Sequence, residues 1–160
     1  MTFPERIYTQ EEVRKAKELI DKGYKHSAIA IKGSPAFQQK VRQALEHVKT
    51  ADYYEFLRTY IRQIEEIDGL TQLYNSGATI WANKYAVENP VDAASVFIQK
   101  AVTMKEYLEL KHYYGGEAEK RSFAKRMEFL EKLRNRSQDK EVKAECGRFL
   151  ELWRESSLAY

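Results

Sequence analysis

The stretch NPVDAASVFIQKAVTMKEYLEL, residues 89–110, predicts the helix around which the rest of the chain folds. Asn89 can cap a helix, Pro90 suits its first position, where no N–H is needed, and Asp92 lies at the positive end of the helix dipole. No helix breaker follows within the stretch. Its apolar residues recur three and four positions apart: Phe97, Ile98, Ala101, Val102, Met104 and Leu108. A stripe of that width is typical of a helix packed into a core.

Length, composition and charge indicate one intracellular domain. With 160 residues, of which 43% are hydrophobic, the chain can bury one core but not two. Its 27 basic and 24 acidic residues are interleaved, as on solvated helix faces and unlike a nucleic-acid-binding patch. Lone Cys146 cannot form an internal disulfide, and neither a signal pattern nor a bilayer-long apolar run is present. We therefore expect a soluble, cytoplasmic protein with no membrane or nucleic-acid partner.

The first part of the chain predicts a helix, a strand and a second helix. Thr9 and Glu12 form a capping box, from which a helix runs towards Gly23. Residues 27–32 are β-branched at alternate positions, which favours a strand. The helix predicted over 36–48 carries its apolar residues on one face: Phe37, Val41, Ala44, Leu45 and Val48.

The next part contains one ambiguous segment and a predicted hairpin. Residues 60–67 either continue a helix that begins near Tyr53 or form a strand, because isoleucines three apart suit both. The turn residues 75–77 then separate two β-favouring runs, 70–74 and 78–83, a pattern typical of a β-hairpin. The hairpin leads directly into the central helix.

Two more helices are predicted after the central one. The first covers 117–133 and has Phe123, Met127 and Leu130 in one row, which reaches Glu119 when it is extended backwards by four residues. The second carries Val142, Cys146, Phe149, Leu150 and Trp153. The chain is therefore predicted to be α+β, with a small β-sheet and edge hairpin packed on a central core helix, followed by further helices.

This order of elements resembles the catalytic unit of zincin-type metallopeptidases, in the branch that uses a glutamate as third zinc ligand. In that family an edge strand precedes the helix with the motif H-E-x-x-H, and a following helix supplies the glutamate. Residues 94–103, ASVFIQKAVT, are similar to the motif helix, but Gln99, Lys100 and Thr103 stand where the family has its histidine, glutamate and histidine. Glu119 stands where the third ligand is expected.

Length and the predicted elements indicate one domain, 1–160, in which 1–26 form an N-terminal helix and 137–160 a C-terminal helix; the resemblance covers the core between them, 27–133. The resemblance implies a pseudoenzyme, because an amide, an ammonium and a hydroxyl cannot replace two imidazoles and a carboxylate. We expect no catalytic residue, no metal and no cofactor. A further hypothesis pairs Lys100 or a neighbouring base with Glu119, which would supply the positive charge that the metal otherwise provides.

Two classes of function follow from these patterns. The first is a catalytically inactive zincin-like domain that binds a peptide or protein partner by β-augmentation, on an edge strand formed by Thr79, Ile80, Trp81, Ala82 and Asn83. The second is a mainly helical interaction or scaffolding domain unrelated to peptidases, in which 60–67 is helix.

Ordinary structural roles compete with these functions. Gln99, Lys100 and Thr103 also suit the solvent edge of a core helix. Cys146 is predicted to be a buried, inert thiol. Three histidines lack the spacing of metal ligands: His26, His47 and His112.

Overall fold

The computed structural model describes residues 2–111 and 113–158, so His112 and the outermost residues of the predicted domain lie outside the described residues. Within these residues the chain is α+β, as predicted, with six helices and one four-stranded sheet. The helices are α1 (Gln10–Asp21), α2 (Pro35–Thr50), α3 (Tyr54–Tyr60), α4 (Pro90–Leu108), α5 (Gly116–Arg136) and α6 (Lys140–Leu158). The strands are β1 (Ala30–Lys32), β2 (Gln63–Ile67), β3 (Gln72–Tyr74) and β4 (Thr79–Asn83).

The sheet has the order β1-β2-β4-β3, in which β1, β2 and β4 are parallel and β3 is antiparallel to β4. The ambiguous segment forms both structures in turn, since α3 ends at Tyr60 and β2 begins at Gln63. The helical form of 60–67, on which the scaffolding alternative rested, is therefore not found. Within β2, Ile64 is fully buried beside Ile80 of β4, whereas Ile67, three residues further on, lies on the opposite face of the sheet and is half-buried.

The prediction that β4 is an edge strand is wrong. Thr79–Asn83 pair with β2 on one side and with β3 on the other. The physical reason is that the ambiguous segment becomes a strand after all and covers the side of β4 that the hairpin leaves open. The edges of the sheet are β1 and β3.

Helix α4 forms the centre of the core, as its sequence predicts. The Asn89 side chain caps it by accepting hydrogen bonds from the backbone N–H groups of Val91 (3.0 Å) and Asp92 (3.1 Å). The helix packs against α2, α3, α5 and β3. All six apolar residues of its predicted stripe are buried.

The predicted inward row of α5 is shifted by one position. Phe123 and Met127 are only half-buried, and Glu119 is exposed. The buried face instead consists of Ala118, Ser122, Arg126, Phe129, Leu130 and Leu133. The sequence favoured the more apolar row, whereas the innermost row contains polar residues that bond to α4, and Phe123 packs against Trp153 of α6 with ring centroids 5.4 Å apart.

Gly33, between β1 and α2, has no room for a side chain. A methyl group there would lie 2.7 Å from Phe37 Cδ1 and 2.8 Å from Glu66 Cβ. We expect Gly33→Ala to lower the free energy of unfolding by about 2 kcal/mol, because overpacking a close contact costs about 1–3 kcal/mol. Gly147→Ala in α6 is the matched control, since nothing lies within 4 Å of the new methyl group. It should raise the free energy of unfolding by about 0.5–1 kcal/mol. Urea titrations that give both variants the same sign would contradict this account.

Candidate functional site

One stripe of α4 remains partly open to solvent. It consists of half-buried residues on one side of the helix: Asp92, Val96, Gln99, Lys100, Thr103 and Tyr107. The other residues of the helix are buried, apart from half-buried Pro90 and exposed Lys105. At about 1.5 Å per residue the stripe is about 22 Å long. All three positions that the zincin resemblance singled out lie on it, so we take this stripe as the floor of the candidate site.

Arg126 of α5 covers the N-terminal half of this stripe. Its Nη2 donates to Asp92 Oδ1 (2.7 Å), its Nε to Ser95 Oγ (2.9 Å) and its Nη1 to Gln99 Oε1 (3.1 Å). Only 9% of Arg126 is exposed. Burial lowers the pKa of Arg126, and the Asp92 carboxylate acts in the opposite direction. A guanidinium stays charged under these conditions. A fixed positive charge therefore lies beside Gln99, which stands where the zincin motif has its first histidine.

Gln99 and Thr103 use their polar groups inside the protein. Gln99 Nε2 donates to Ser122 Oγ (3.3 Å) while its Oε1 accepts from Arg126, and Thr103 Oγ1 donates to the Gln99 carbonyl oxygen (3.3 Å). These groups do not fit a zinc ion, because neither side chain offers a free nitrogen or carboxylate ligand. Within 2–111 and 113–158, no cluster of three or more His, Cys, Asp or Glu residues is placed to hold a metal.

Lys100 differs from its two neighbours on the stripe. It is half-buried, and no described residue forms a hydrogen bond or an ion pair with it. Burial lowers the pKa of Lys100, and the nearby Arg126 charge lowers it further. Because Asp92 is already paired with Arg126, the ammonium of Lys100 is an unbalanced charge on the floor of the site.

Glu119 does not join the site. Its side chain is exposed in the first turn of α5, and the hypothetical ion pair between Glu119 and Lys100 is absent from the described side chains. Ser122, which donates to the Glu119 carbonyl oxygen (3.1 Å), is the residue that faces Gln99. The position at which a third ligand from α5 would reach the stripe is therefore 122 rather than 119.

The sequence did not indicate three residues of the site: Ser122, Arg126 and Trp153. The Trp153 ring of α6 lies over the Arg126 guanidinium, 5.1 Å from the ring centroid to Cζ. Arg126 carried one usable signal, since Ser122 and Arg126 are polar residues four apart and match the polar residues of α4. Trp153 was expected only as a packing residue.

The other end of the stripe is closed by the N-terminal segment. Tyr107 donates its hydroxyl hydrogen bond to the Ile7 carbonyl oxygen, and Ile7 N–H donates to the Ser76 carbonyl oxygen (2.8 Å) at the β3–β4 turn. The Tyr8 and Tyr74 hydroxyls are also hydrogen-bonded, 2.8 Å apart. These bonds hold the hairpin beside α4.

Strand β3 has a free edge. It packs on α4, and in the part of the chain that the structure describes no strand pairs with its outer side. Leu70, just before it, is 88% exposed. The five predicted peptide-binding residues of β4 are instead internal: Ile80 is buried, while Trp81 is half-buried and stacks on Tyr74 with ring centroids 4.4 Å apart.

No protein-family model matches this chain, and neither a curated protein nor a solved structure matches it. Over residues 2–111 and 113–158, no helix has both the length and the apolar character required to cross a bilayer.

Proposed function

We propose that the chain is a non-catalytic, zincin-like domain that binds an extended peptide segment of a protein partner along α4, beside β3. The observation that carries this proposal is the half-exposed stripe with Gln99, Lys100 and Thr103, on a helix that packs against β3, a strand with a free edge. Arg126 covers the N-terminal half of the stripe and the N-terminal segment closes its other end, so such a segment would contact α4 around Lys100 and Thr103. The unpaired backbone groups of β3 supply the hydrogen bonds of β-augmentation.

The side chains of the stripe argue against zinc-dependent hydrolysis as its function. Such a reaction requires a metal with an open position for water and a base that accepts a proton from that water. Here the base position is Lys100, whose ammonium repels a metal, and the Gln99 amide oxygen is occupied by Arg126. A binding role agrees better with these groups than catalysis does.

Rebuilding the metal site tests the zincin-like arrangement. We expect the natural protein to bind no zinc in calorimetry after metal stripping. The variant Gln99→His, Lys100→Glu, Thr103→His should gain a site, and adding Ser122→Glu should tighten it further, because residue 122 faces Gln99 while Glu119 points to solvent. We expect a dissociation constant of about 1 μM or below for the fourfold variant.

An exposed face of α2 offers a matched control. Gln39→His, Lys40→Glu and Gln43→His create the same motif spacing on residues that are all exposed, with no second helix to add a ligand. If the fourfold variant folds and binds zinc no more tightly than this control, α4 and α5 are not arranged as in a zincin, and the proposed kinship is wrong.

A further inference from the structure

Lys100 stands where the zincin motif has its general base, and it is a cation without a partner among the described residues. Of the three polar residues on this part of the stripe, Gln99 and Thr103 have internal hydrogen bonds, whereas Lys100 has no described partner. Lys100 is half-buried, and its ammonium is not sealed from solvent, so a ligand can reach it. A carboxylate is the group that pairs most strongly with such a cation.

We propose that the groove recognises acidic peptides, and that Lys100 binds a carboxylate side chain of an extended segment lying along α4. This inference rests on the proposed peptide-binding function and specifies its ligand. Arg126 does not compete with Lys100 for this ligand, because its charge is paired with Asp92 and its other donors bond Ser95 and Gln99.

The position of Lys100 also fixes where the acidic residue lies. Lys100 lies eight positions after Asp92, about 12 Å along the helix axis and beyond the part of the stripe that Arg126 covers. An extended segment that passes this point can place one carboxylate against the Lys100 ammonium. The selected segment should show one acidic position in a constant register rather than a general negative charge.

A random heptapeptide library displayed on phage, selected against the immobilised natural protein, tests this inference. We expect the selected peptides to share Asp or Glu at one position. Lys100→Met should weaken synthetic copies of these peptides by about 10- to 100-fold, the effect of losing a hydrogen bond to a charged group. Lys100→Glu should select Lys or Arg at the same position, and Lys100→Arg should keep the acidic preference.

Lys105→Met is the matched control, because Lys105 lies on the same helix but is exposed and outside the stripe. It should leave selection and affinity unchanged. Peptides selected without an acidic position, or unaffected by Lys100→Met in a variant that circular dichroism shows to be folded, would overturn the carboxylate site and leave the peptide-binding proposal standing. If selection enriches no peptide with the natural protein or the variants, the peptide-binding proposal itself fails.

Discussion

Replacing Arg126 by methionine is expected to lower the free energy of unfolding by about 3 kcal/mol. The substitution keeps most of the apolar stem but removes the guanidinium, which leaves the Asp92 carboxylate, the Ser95 hydroxyl and the Gln99 amide oxygen without their donor. Breaking a buried ion pair by removing one partner costs about 3–5 kcal/mol. The lower end applies because the Asp92 side chain is 31% exposed, so water partly solvates its charge.

Arg14→Met serves as the control for this prediction. Arg14 also pairs with two carboxylates, Glu11 (2.7 Å) and Glu18 (2.9 Å), but its side chain is 58% exposed. We expect a loss below about 1 kcal/mol there, because surface ion pairs contribute little. Urea unfolding of both variants makes the comparison. Equal losses would mean that the Arg126 network does not hold α4 and α5 together.

Adding Asp92→Asn to Arg126→Met distinguishes the loss of the Arg126–Asp92 ion pair from the cost of leaving the Asp92 carboxylate charged and unpaired. The double variant should recover about 1 kcal/mol relative to Arg126→Met alone, because the asparagine removes the unpaired carboxylate charge. A double variant that loses the sum of the two single effects would show that Arg126 and Asp92 act independently of each other.

Local sequence patterns were sufficient for most of the helices and for the hairpin. Thr9 and Asn89 cap helices as predicted, because a cap depends on residues within four positions in the sequence. The apolar faces of α2 and α4 are buried as predicted, since a helix places residues three and four apart on the same side.

Arrangements that depend on distant residues could not be predicted in the same way. The internal position of β4 depends on its pairing with β2. The spacing of the apolar residues in 60–67 does not distinguish a strand from a helix, so that pairing could not be predicted. The inward row of α5 was misplaced because Arg126 has the composition of a solvent-facing residue. Only its partners on another helix, Asp92, Ser95 and Gln99, explain its burial.

The candidate site depends both on local sequence patterns and on contacts between residues far apart in the sequence. Sequence singled out Gln99, Lys100 and Thr103, and the three residues do lie together on the stripe. It could not predict that Gln99 and Thr103 have internal partners while Lys100 has none, because those partners include Ser122 and Arg126 of α5. The chemistry of the groove therefore depends on how α4 and α5 pack.

His26 is expected to make the protein less stable as the pH falls from 6.5 to 4. The side chain is buried among aromatic rings, with the Phe3 centroid 4.8 Å and the Tyr24 centroid 5.3 Å away, and its Nε2 has no partner among the described residues. Burial, together with the nearby Arg62 charge, lowers the pKa of His26 from 6.5 to about 4. The unfolded chain therefore binds a proton in this pH range that the folded chain does not.

The free energy of unfolding should consequently fall by at most about 3 kcal/mol between pH 6.5 and pH 4, and no further through this group at lower pH. His26→Phe keeps a ring among Phe3 and Tyr24 but cannot bind a proton, so its stability should depend less steeply on pH than that of the natural protein. Carboxylates titrate in both proteins, and their contribution cancels in the difference.

His47→Phe is the control: burial also lowers the pKa of His47, but Asp139 and Glu46 oppose the shift and the side chain is half-buried. Urea unfolding from pH 7.5 to pH 4 measures all three. If His26→Phe and the natural protein lose stability in parallel, His26 is not the group that destabilises the fold in acid.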